Sequence, residues 1–324
     1  YKAVCGVNSR VRFALTGTPV ENRLGELWSI FSFLMPGYLP PYKSFCSRFE
    51  KPIVQEEDQT AVRRLNQLTG PFILRRMKSD VLKELPPKTE NVYRIELEEE
   101  QGKLYLAAVV DAREKLQAAK PEDKMAVFAV LMRLREICCD PRLIADNWEG
   151  GSAKLDACVE LVSSAVEGGH RILLFSQFTS MLELLAKRLD AEGISHFTLQ
   201  GSTSKPVRAE LVRRFNGGEV SVFLISLRAG GTGLNLTAAD IVIHYDPWWN
   251  VAAQNQATDR AYRIGQQNPV QVYKLIAQDT IEEKIVELQQ AKQSLADTVT
   301  GTADGAILSM RPDELLQLLE GSEG

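Results

Sequence analysis

The chain has 324 residues, 44% of them hydrophobic and 25% charged, which is the composition of an ordinary globular protein long enough for two domains. Its formal net charge of −4 lowers the expectation of a dedicated nucleic-acid binder, although a local basic groove can lie on an acidic body, and no apolar run is long enough to span a bilayer. The five cysteines form no Cys-x-x-Cys pair and the three histidines are scattered, which argues against disulfides and a metal site and for reduced thiols in the cytoplasm.

The first region covers residues 1–97. The segment RFALTG predicts a short strand at residues 12–17. Farther on, Leu24, Leu27 and Phe31 recur at helical spacing, and the segment PGYLPP ends that helix. The opening residues do not resemble a signal peptide, because no small-residue cleavage site follows an apolar core, and they indicate a chain that begins inside a domain.

The middle region, residues 98–153, is predominantly helical. Residues 98–119 and 124–139 consist of good helix formers with apolar residues at 3.6-residue spacing. Pro121 separates the two predicted helices, and Pro141 closes the second. The segment NWEGGSAK that follows is typical of a linker.

The third region, residues 154–279, alternates strands and helices. The predicted strands are RILLFSQF, SHFTLQ, VSVFLIS, DIVIHY and VQVYKLI. Such alternation predicts an α/β fold, a parallel sheet with helices on both faces, whose ligands bind beyond the carboxyl ends of the strands. The last region, residues 280–324, contains a long amphipathic helix from Thr280 and a short helix with Pro312 near its start.

Two arginines near the end of the third region are spaced for a shared role. If the segment VAAQNQATDRAYR is one helix, Gln256, Arg260 and Arg263 lie at i, i+4 and i+7 and share a face. Guanidinium groups so placed can reach a triphosphate across an interface and stabilise charge on a transferred phosphoryl group. The alternative is a solvated face with local ion pairs, which is the usual role of charged pairs.

Three other polar segments follow predicted strands: LTGTPVEN, FSQFTSML and LQGSTS. Their hydroxyls, amides and helix N-termini suit the phosphate oxygens of a nucleic-acid backbone, and the first could link a nucleotide site to a second ligand. The alternatives are an ordinary turn for the first segment and a helix N-cap, from Thr179 or Ser180, for the second.

The glycine-rich loop SLRAGGTGLNL, residues 226–236, follows a buried strand but lacks the lysine of a Walker-type phosphate loop. Its glycines permit close approach of a nucleotide or a sugar-phosphate backbone, and Arg228 and Asn235 add donors. A tight strand-to-helix connection is the alternative. Trp248 and Trp249, after the next strand, could stack on a base, but packing in the core is expected for at least one.

In order along the chain, seven segments resemble the Swi/Snf-type ATPases, the helicase-like DNA translocases of superfamily two. They are LTGTPVEN, PFILRRMKSDVLKELPPKTE, LMRLREICCDPRL, ILLFSQFTSML, LQGSTS, SLRAGGTGLNLTAADIVIHYDPWWN and ATDRAYRIGQ. The resemblance covers nearly the whole chain, and the ordered series is specific although each segment alone is weak.

The resemblance implies two RecA-like lobes with ATP bound between them. Residues 1–97 would be the end of lobe one with a helical protrusion, 98–153 a helical insertion and linker, 154–279 lobe two, and 280–324 a brace helix and tail. In the family, lobe one carries the Walker A lysine and the acidic magnesium-binding box. Neither motif occurs in this sequence, so the resemblance implies that ATP and Mg²⁺ are bound mainly by an upstream part of lobe one.

The resemblance also implies roles for individual residues, carried over position by position. Arg260 and Arg263 would be arginine fingers, and other nucleotide contacts would come from Gln256, Gly231, Thr232, Gly233 and Leu234. DNA-facing positions would be Ser176, Gln177, Gly201, Ser202, Ser226, Arg228, Ala229, Gly230 and Asn235. Residues coupling the two sites would be Thr16, Gly17, Thr18, Trp248 and Trp249.

The implied function is that of the C-terminal part of an ATP-dependent translocase on double-stranded DNA, with the N-terminal lobe of the same protein and DNA as partners and no membrane. The short stretch after lobe two favours a cytoplasmic bacterial member, associated with the nucleoid. By itself this chain is expected to have negligible ATPase activity. Two alternatives stay open: a non-catalytic nucleic-acid or protein binding module, and a strand-separating helicase or polymerase-recycling factor of the same superfamily.

Overall fold

A computed structural model describes residues 2–16, 24–56, 58–74, 76, 82, 84–120, 123–227, 229, 233–289 and 312–320. The chain divides into two compact units. The first comprises Tyr1–Val81 with Trp249–Ala252 and Glu287–Ala306, and the second comprises the remainder. Among the described residues, none of the helices is both long and apolar enough to cross a membrane.

The first unit is helical. Its helices are α1 (Lys2–Cys5), α2 (Leu24–Leu34), α3 (Tyr42–Phe45), α4 (Lys51–Gln55) and α5 (Gln59–Thr69). Helix α2 confirms the predicted helix and ends before Pro36, as its sequence indicates. The apolar stripe of α2 packs with side chains of the following helices, and Leu27, Phe31, Phe45 and Leu65 are buried in this core.

The strand predicted at residues 12–17 is wrong over its described part, Arg12–Thr16, which has no regular secondary structure. A strand needs a hydrogen-bonded neighbour, and no described residue pairs with this segment. The Arg12 side chain instead donates hydrogen bonds to the carbonyl oxygens of Phe33, at 2.8 Å, and Val7, at 3.0 Å. Phe13 and Leu15 are exposed.

The second unit is built on a six-stranded parallel sheet, which confirms the predicted α/β fold. Its strands are β1 (Lys88–Ile95), β2 (Ile172–Ser176), β3 (His196–Leu199), β4 (Val222–Ser226), β5 (Ile241–His244) and β6 (Val270–Ala277). The order across the sheet is β1-β6-β5-β2-β4-β3. Every neighbouring pair is parallel, so all carboxyl ends lie at one edge.

Strand β1 belongs to this sheet although the sequence placed it within the first region, 1–97. It pairs with β6 from Lys88 opposite Val270 to Ile95 opposite Ala277. All its residues before Ile95 are exposed, so the segment lacks the apolar run of a buried parallel strand and was not recognised. The contacts of this strand are thus with the second unit, and the boundary expected at residue 97 stays a prediction.

The described helices that follow β1 in the chain include those that cover both faces of the sheet. They are α6 (Glu99–Ala118), α7 (Lys124–Cys139), α8 (Ala153–Glu167), α9 (Thr179–Ala191), α10 (Lys205–Asn216), α11 (Val251–Thr258), α12 at residues 281–289, and α13 (Pro312–Glu320). Leu174 and Leu224 point into a core formed with α8 and α9, whereas Phe175 and Phe223 point into a second core with Phe215 of α10. Successive side chains of a strand point to opposite faces of the sheet, so each strand contributes to both cores. The continuation of α12 predicted beyond residue 289 lies outside the described residues.

Candidate functional site

The polar segments singled out in the second unit lie at the carboxyl edge of the sheet, where the sequence placed them. Ser176 ends β2 and Ser226 ends β4, and these two residues are register partners in adjacent strands. The amide of Leu227 donates a hydrogen bond to the carbonyl oxygen of Ser176 at 3.0 Å, so the two loops leave the sheet together.

Ser176 and Gln177 are organised by Asp246, a residue that the sequence analysis did not select. The Ser176 hydroxyl is fully buried and donates a hydrogen bond to Asp246 Oδ1 at 2.6 Å, and the amide of Gln177 donates to the same oxygen at 3.2 Å. The hydroxyl therefore faces the protein interior, and the DNA contact expected of Ser176 stays a prediction. The Gln177 Nε2 atom is buried and has no hydrogen-bond partner among the described residues. An acidic residue directly after a buried strand was the available signal for Asp246.

Gly201 and Ser202 lie in the exposed turn after β3. The turn is closed by hydrogen bonds between Gln200 and Thr203, through both the backbone and the Thr203 hydroxyl. These hydrogen bonds fix the conformation of the turn. Gly201 and Ser202 are exposed, as a contact with a DNA backbone would require.

The glycine-rich loop is described in part, because Arg228, Gly230, Gly231 and Thr232 lie outside the described residues. Of the others, Ser226, Ala229 and Leu234 are buried, and Gly233 and Asn235 are exposed. Gly233 has φ +23°. Asn216, at the end of α10, donates to the carbonyl oxygen of Asn235 at 2.8 Å and accepts a hydrogen bond from the Ala238 amide. The end of the loop is therefore held against α10.

Helix α11 is shorter than the sequence predicted, and this changes the geometry of the two arginines. It ends at Thr258, so Arg260 and Arg263 lie in the following turn and do not share a helical face with Gln256, which is exposed on α11. Hydrogen bonds from the Arg260 amide to Ala257 and from the Ala261 amide to Thr258 tighten the chain beyond the helix. Spacing alone could not reveal this early end.

The arginine turn contacts the glycine-rich loop directly. Arg263 Nη1 donates to the carbonyl oxygen of Leu234 at 3.3 Å, and the Leu236 amide donates to the carbonyl oxygen of Arg260 at 3.0 Å. The glycine-rich loop and the arginine turn, both predicted to contact a nucleotide, are thus hydrogen-bonded to each other. The two arginines nevertheless do not lie on the predicted helix face. Gln266, also missed from the sequence, fixes the end of this turn by donating to the carbonyl oxygens of Ala239 and Ala261.

Arg260 is a buried cation that forms no ion pair with any described residue. Its side chain is 7% exposed, Nε has no hydrogen-bond partner among the described residues, and none of them forms an ion pair with it. Burial and, next, the neighbouring Arg263 lower the pKa of Arg260. A buried charge of this kind is costly unless it is paired. An anion that approaches the two guanidinium groups would supply the missing compensation.

The residues expected to couple the two sites have different surroundings. Thr16 is exposed, whereas Gly17 and Thr18 lie outside the described residues. Trp248 is half-buried and packs against the core on the α10 face of the sheet, and Trp249 is buried. Packing, the alternative use for the tryptophans, therefore describes both better than stacking on a base.

His244 positions α11 and makes the stability of the second unit sensitive to acid. Its Nε2 lies 2.9 Å from the Thr258 hydroxyl at the end of α11, and burial, followed by Lys274, lowers the pKa of His244 to about 3. The unfolded chain therefore binds a proton that the folded chain does not between pH ~6.5 and about 3. Stability falls as the pH falls through this window.

We expect the His244→Gln variant to have a flatter dependence of unfolding free energy on pH, by at most ~1.4 kcal/mol per pH unit. Denaturant titrations at pH 4 to 7 measure this slope. Equal slopes for wild type and His244→Gln would contradict the assignment.

Comparison with known proteins places these features among related chains. Residues 1–143 match the SNF2-related domain and residues 153–265 match the helicase conserved C-terminal domain. An uncharacterized ATP-dependent helicase of Mycoplasma genitalium is 39% identical over 98% of this chain and 31% of its own length. A mouse SWI/SNF-related matrix-associated actin-dependent regulator of chromatin, subfamily A member 1, is 37% identical over 95% of this chain and 31% of its own.

A solved structure gives the same relationship in three dimensions. The Sulfolobus solfataricus SWI2/SNF2 ATPase core in complex with double-stranded DNA is 35% identical, with a TM-score of 0.62, and covers 97% of this chain and 68% of that one. The chain spans about a third of the length of the curated relatives it matches.

Proposed function

The chain belongs to the Swi/Snf-type family of helicase-like ATPases. We propose that it forms the C-terminal part of an ATP-dependent translocase on double-stranded DNA. Its second unit supplies arginine fingers to ATP and contacts to the DNA backbone. An upstream part of lobe one supplies the phosphate-binding lysine, the magnesium ligands and most of the ATP site.

The observation that carries the proposal is the contact between the arginine turn and the glycine-rich loop. Arg260 is buried and forms no ion pair with a described residue, and Arg263 donates a hydrogen bond to the carbonyl oxygen of Leu234. Guanidinium groups stabilise the charge that develops on a transferred phosphoryl group, which typically accelerates hydrolysis ~10³–10⁵-fold. A buried arginine next to a second arginine suits this role better than a solvated surface pair.

DNA contact is proposed for polar groups at the same edge. Gly201 and Ser202 present an outward turn, and Asn235 is exposed. Gln177 is half-buried, and its Nε2 atom is buried with no hydrogen-bond partner among the described residues. Such neutral groups bind phosphate oxygens without reading sequence. The similar Sulfolobus solfataricus ATPase core is in complex with double-stranded DNA, which makes a duplex the preferred ligand.

The principal alternative is a binding module without catalysis. A wholly solvated arginine pair would have favoured it, but Arg260 is buried. A strand-separating helicase is the second alternative, and the described residues offer no feature that distinguishes it from a translocase. The two differ in their products, so an assay decides between them.

We expect the intact protein to hydrolyse ATP at least ~10-fold faster with duplex DNA than without it. It should displace the third strand of a DNA triplex, because translocation along the backbone pushes that strand off, and leave the duplex paired. ATPase and triplex-displacement assays measure these activities, and a fork substrate is the control for strand separation. Absence of DNA stimulation would favour the binding module, and unwinding of the fork would favour the helicase.

A further inference from the structure

A buried arginine outside the proposed site is joined to the loop after β2. Arg135, on α7, has no exposed surface. Its Nη2 lies 3.3 Å from Asp246 Oδ2 and also donates to the carbonyl oxygen of Pro247. The guanidinium lies 5.6 Å from the ring centre of Phe178. A single side chain of the helical insertion thus contacts the segments that follow both β2 and β5.

Asp246 transmits this contact to the polar loop. It accepts hydrogen bonds from the Ser176 hydroxyl and the Gln177 amide, and the Ser176 hydroxyl in turn accepts one from the Phe178 amide at 3.1 Å. The carboxylate and the hydroxyl are fully buried, so water does not compete for these bonds. The backbone from Ser176 to Phe178 is therefore fixed by one carboxylate, and that carboxylate is fixed by Arg135.

The last turn of α7, which follows Arg135, is held by hydrogen bonds from other parts of the chain. Tyr245 and Ser152 donate hydrogen bonds to the carbonyl oxygen of Cys139, at 2.9 and 3.1 Å, and Gln101 donates to that of Ile137 at 2.8 Å. These bonds satisfy carbonyl groups that the helix end leaves open. The helix cannot shift without breaking them, so the guanidinium holds a fixed position beneath the loop.

We propose that Arg135 is a positioning residue for DNA binding, which acts through Asp246 to hold the Ser176–Phe178 backbone in the conformation that contacts the DNA backbone. The proposal rests on the proposed function and extends it to the helical insertion. Arg135 does not touch DNA. Burial raises the pKa of Asp246 and Arg135 is the largest cause that opposes it, so without Arg135 the protonated form would be favoured further. A protonated Asp246 loses part of its capacity to accept hydrogen bonds from the loop.

The chain offers a matched control for a test. Lys154 and Glu282 form a second ion pair with no exposed surface, and neither contacts Ser176, Gln177 or Asp246 by a hydrogen bond. Both cations oppose the effect of burial and lower the pKa of Asp246, but Arg135 does so more strongly than Lys154. Arg135→Met and Lys154→Met each leave one buried carboxylate without its cation, so they perturb the fold in a similar way. Only the first removes a hydrogen bond to Asp246.

The experiment measures ATP hydrolysis by the intact protein against the concentration of duplex DNA, below the melting temperature of each variant. For Arg135→Met we expect the half-saturating duplex concentration to rise about tenfold, with the KM for ATP within about twofold of wild type. Lys154→Met should leave the half-saturating duplex concentration unchanged. Arg135→Lys should recover part of the loss, because an ammonium group is still a cation for Asp246 but lacks the planar guanidinium that lies over Phe178.

Asp246→Asn keeps the size of the side chain and one acceptor oxygen. This variant replaces Arg135→Met as the test if Arg135→Met does not fold. It should raise the half-saturating duplex concentration in the same direction. Equal DNA responses of the arginine and lysine variants, or a wild-type response for Asp246→Asn, would overturn the proposal while the proposed function stands. A wild-type protein that ignores DNA would overturn both.

Discussion

Replacing Arg260 with alanine in the intact protein should lower DNA-stimulated ATP hydrolysis by at least ~10³-fold. The Arg260 carbonyl oxygen accepts a hydrogen bond from Leu236 of the glycine-rich loop, and the residue is buried. Arg260 forms no ion pair with a described residue, and the nearby Arg263 is also a cation. Such an arrangement costs stability in the absence of an anion and is compensated when phosphoryl charge develops beside it. Steady-state hydrolysis at saturating ATP and duplex DNA measures the loss.

Two further variants separate catalysis from folding. Arg260→Gln removes the charge but keeps much of the side-chain stem, so it should lose activity and retain or exceed the wild-type thermal stability. Arg213→Ala removes an exposed arginine of α10 that pairs with Glu210 at the surface, and it should leave both properties near wild type. If Arg260→Ala turned over ATP as fast as Arg213→Ala, the assignment of Arg260 as an arginine finger would be wrong.

Replacing Lys154 with methionine should lower the unfolding free energy of the second unit by ~3–5 kcal/mol, because breaking a buried ion pair strands a charge. Lys154 Nζ lies 2.7 and 2.5 Å from the two carboxylate oxygens of Glu282, and both side chains have no exposed surface. Burial alone would lower the pKa of Lys154, but Glu282 reverses this and the net shift is upward. The pair joins the start of α8 to the start of α12.

The double variant Lys154→Met, Glu282→Leu is the control for this effect. It removes both charges, so it should recover most of the lost stability even though Glu282 Oε2 also accepts a hydrogen bond from the Ala277 amide. Denaturant unfolding followed by far-ultraviolet circular dichroism gives the free energies. A Lys154→Met protein as stable as wild type would show that the pair contributes little.

Local patterns predicted the parts of the fold that depend on local physics. The strands β2 to β6 are short apolar runs bounded by polar turns, and α6 and α7 have unbroken 3.6-residue periodicity, so their existence and type follow from the sequence. The parallel alternation then placed Ser176 and Ser226 at one edge of the sheet. The family likewise follows from the ordered motifs.

The sequence failed where the outcome depends on a partner distant in the chain. The residues of β1 are exposed and gain their place only by pairing with β6, and Arg12 makes hydrogen bonds to helix ends where a strand was expected. Helix α11 ends at Thr258 because the following residues bond to Leu236 and Leu234 of the glycine-rich loop. No spacing within residues 251–263 carries that information.

By itself the sequence determined the fold class, the order of the motifs and the edge of the sheet at which they meet, because periodicity and turn chemistry act between near neighbours. Only the tertiary structure decided which polar groups face outward. Ser176 turns inward to Asp246, Arg135 reaches that carboxylate from a helix more than a hundred residues away in the chain, and Arg260 is buried beside the loop. A buried charge or hydroxyl takes whichever partner the fold brings within hydrogen-bonding distance, and that distance is fixed by packing.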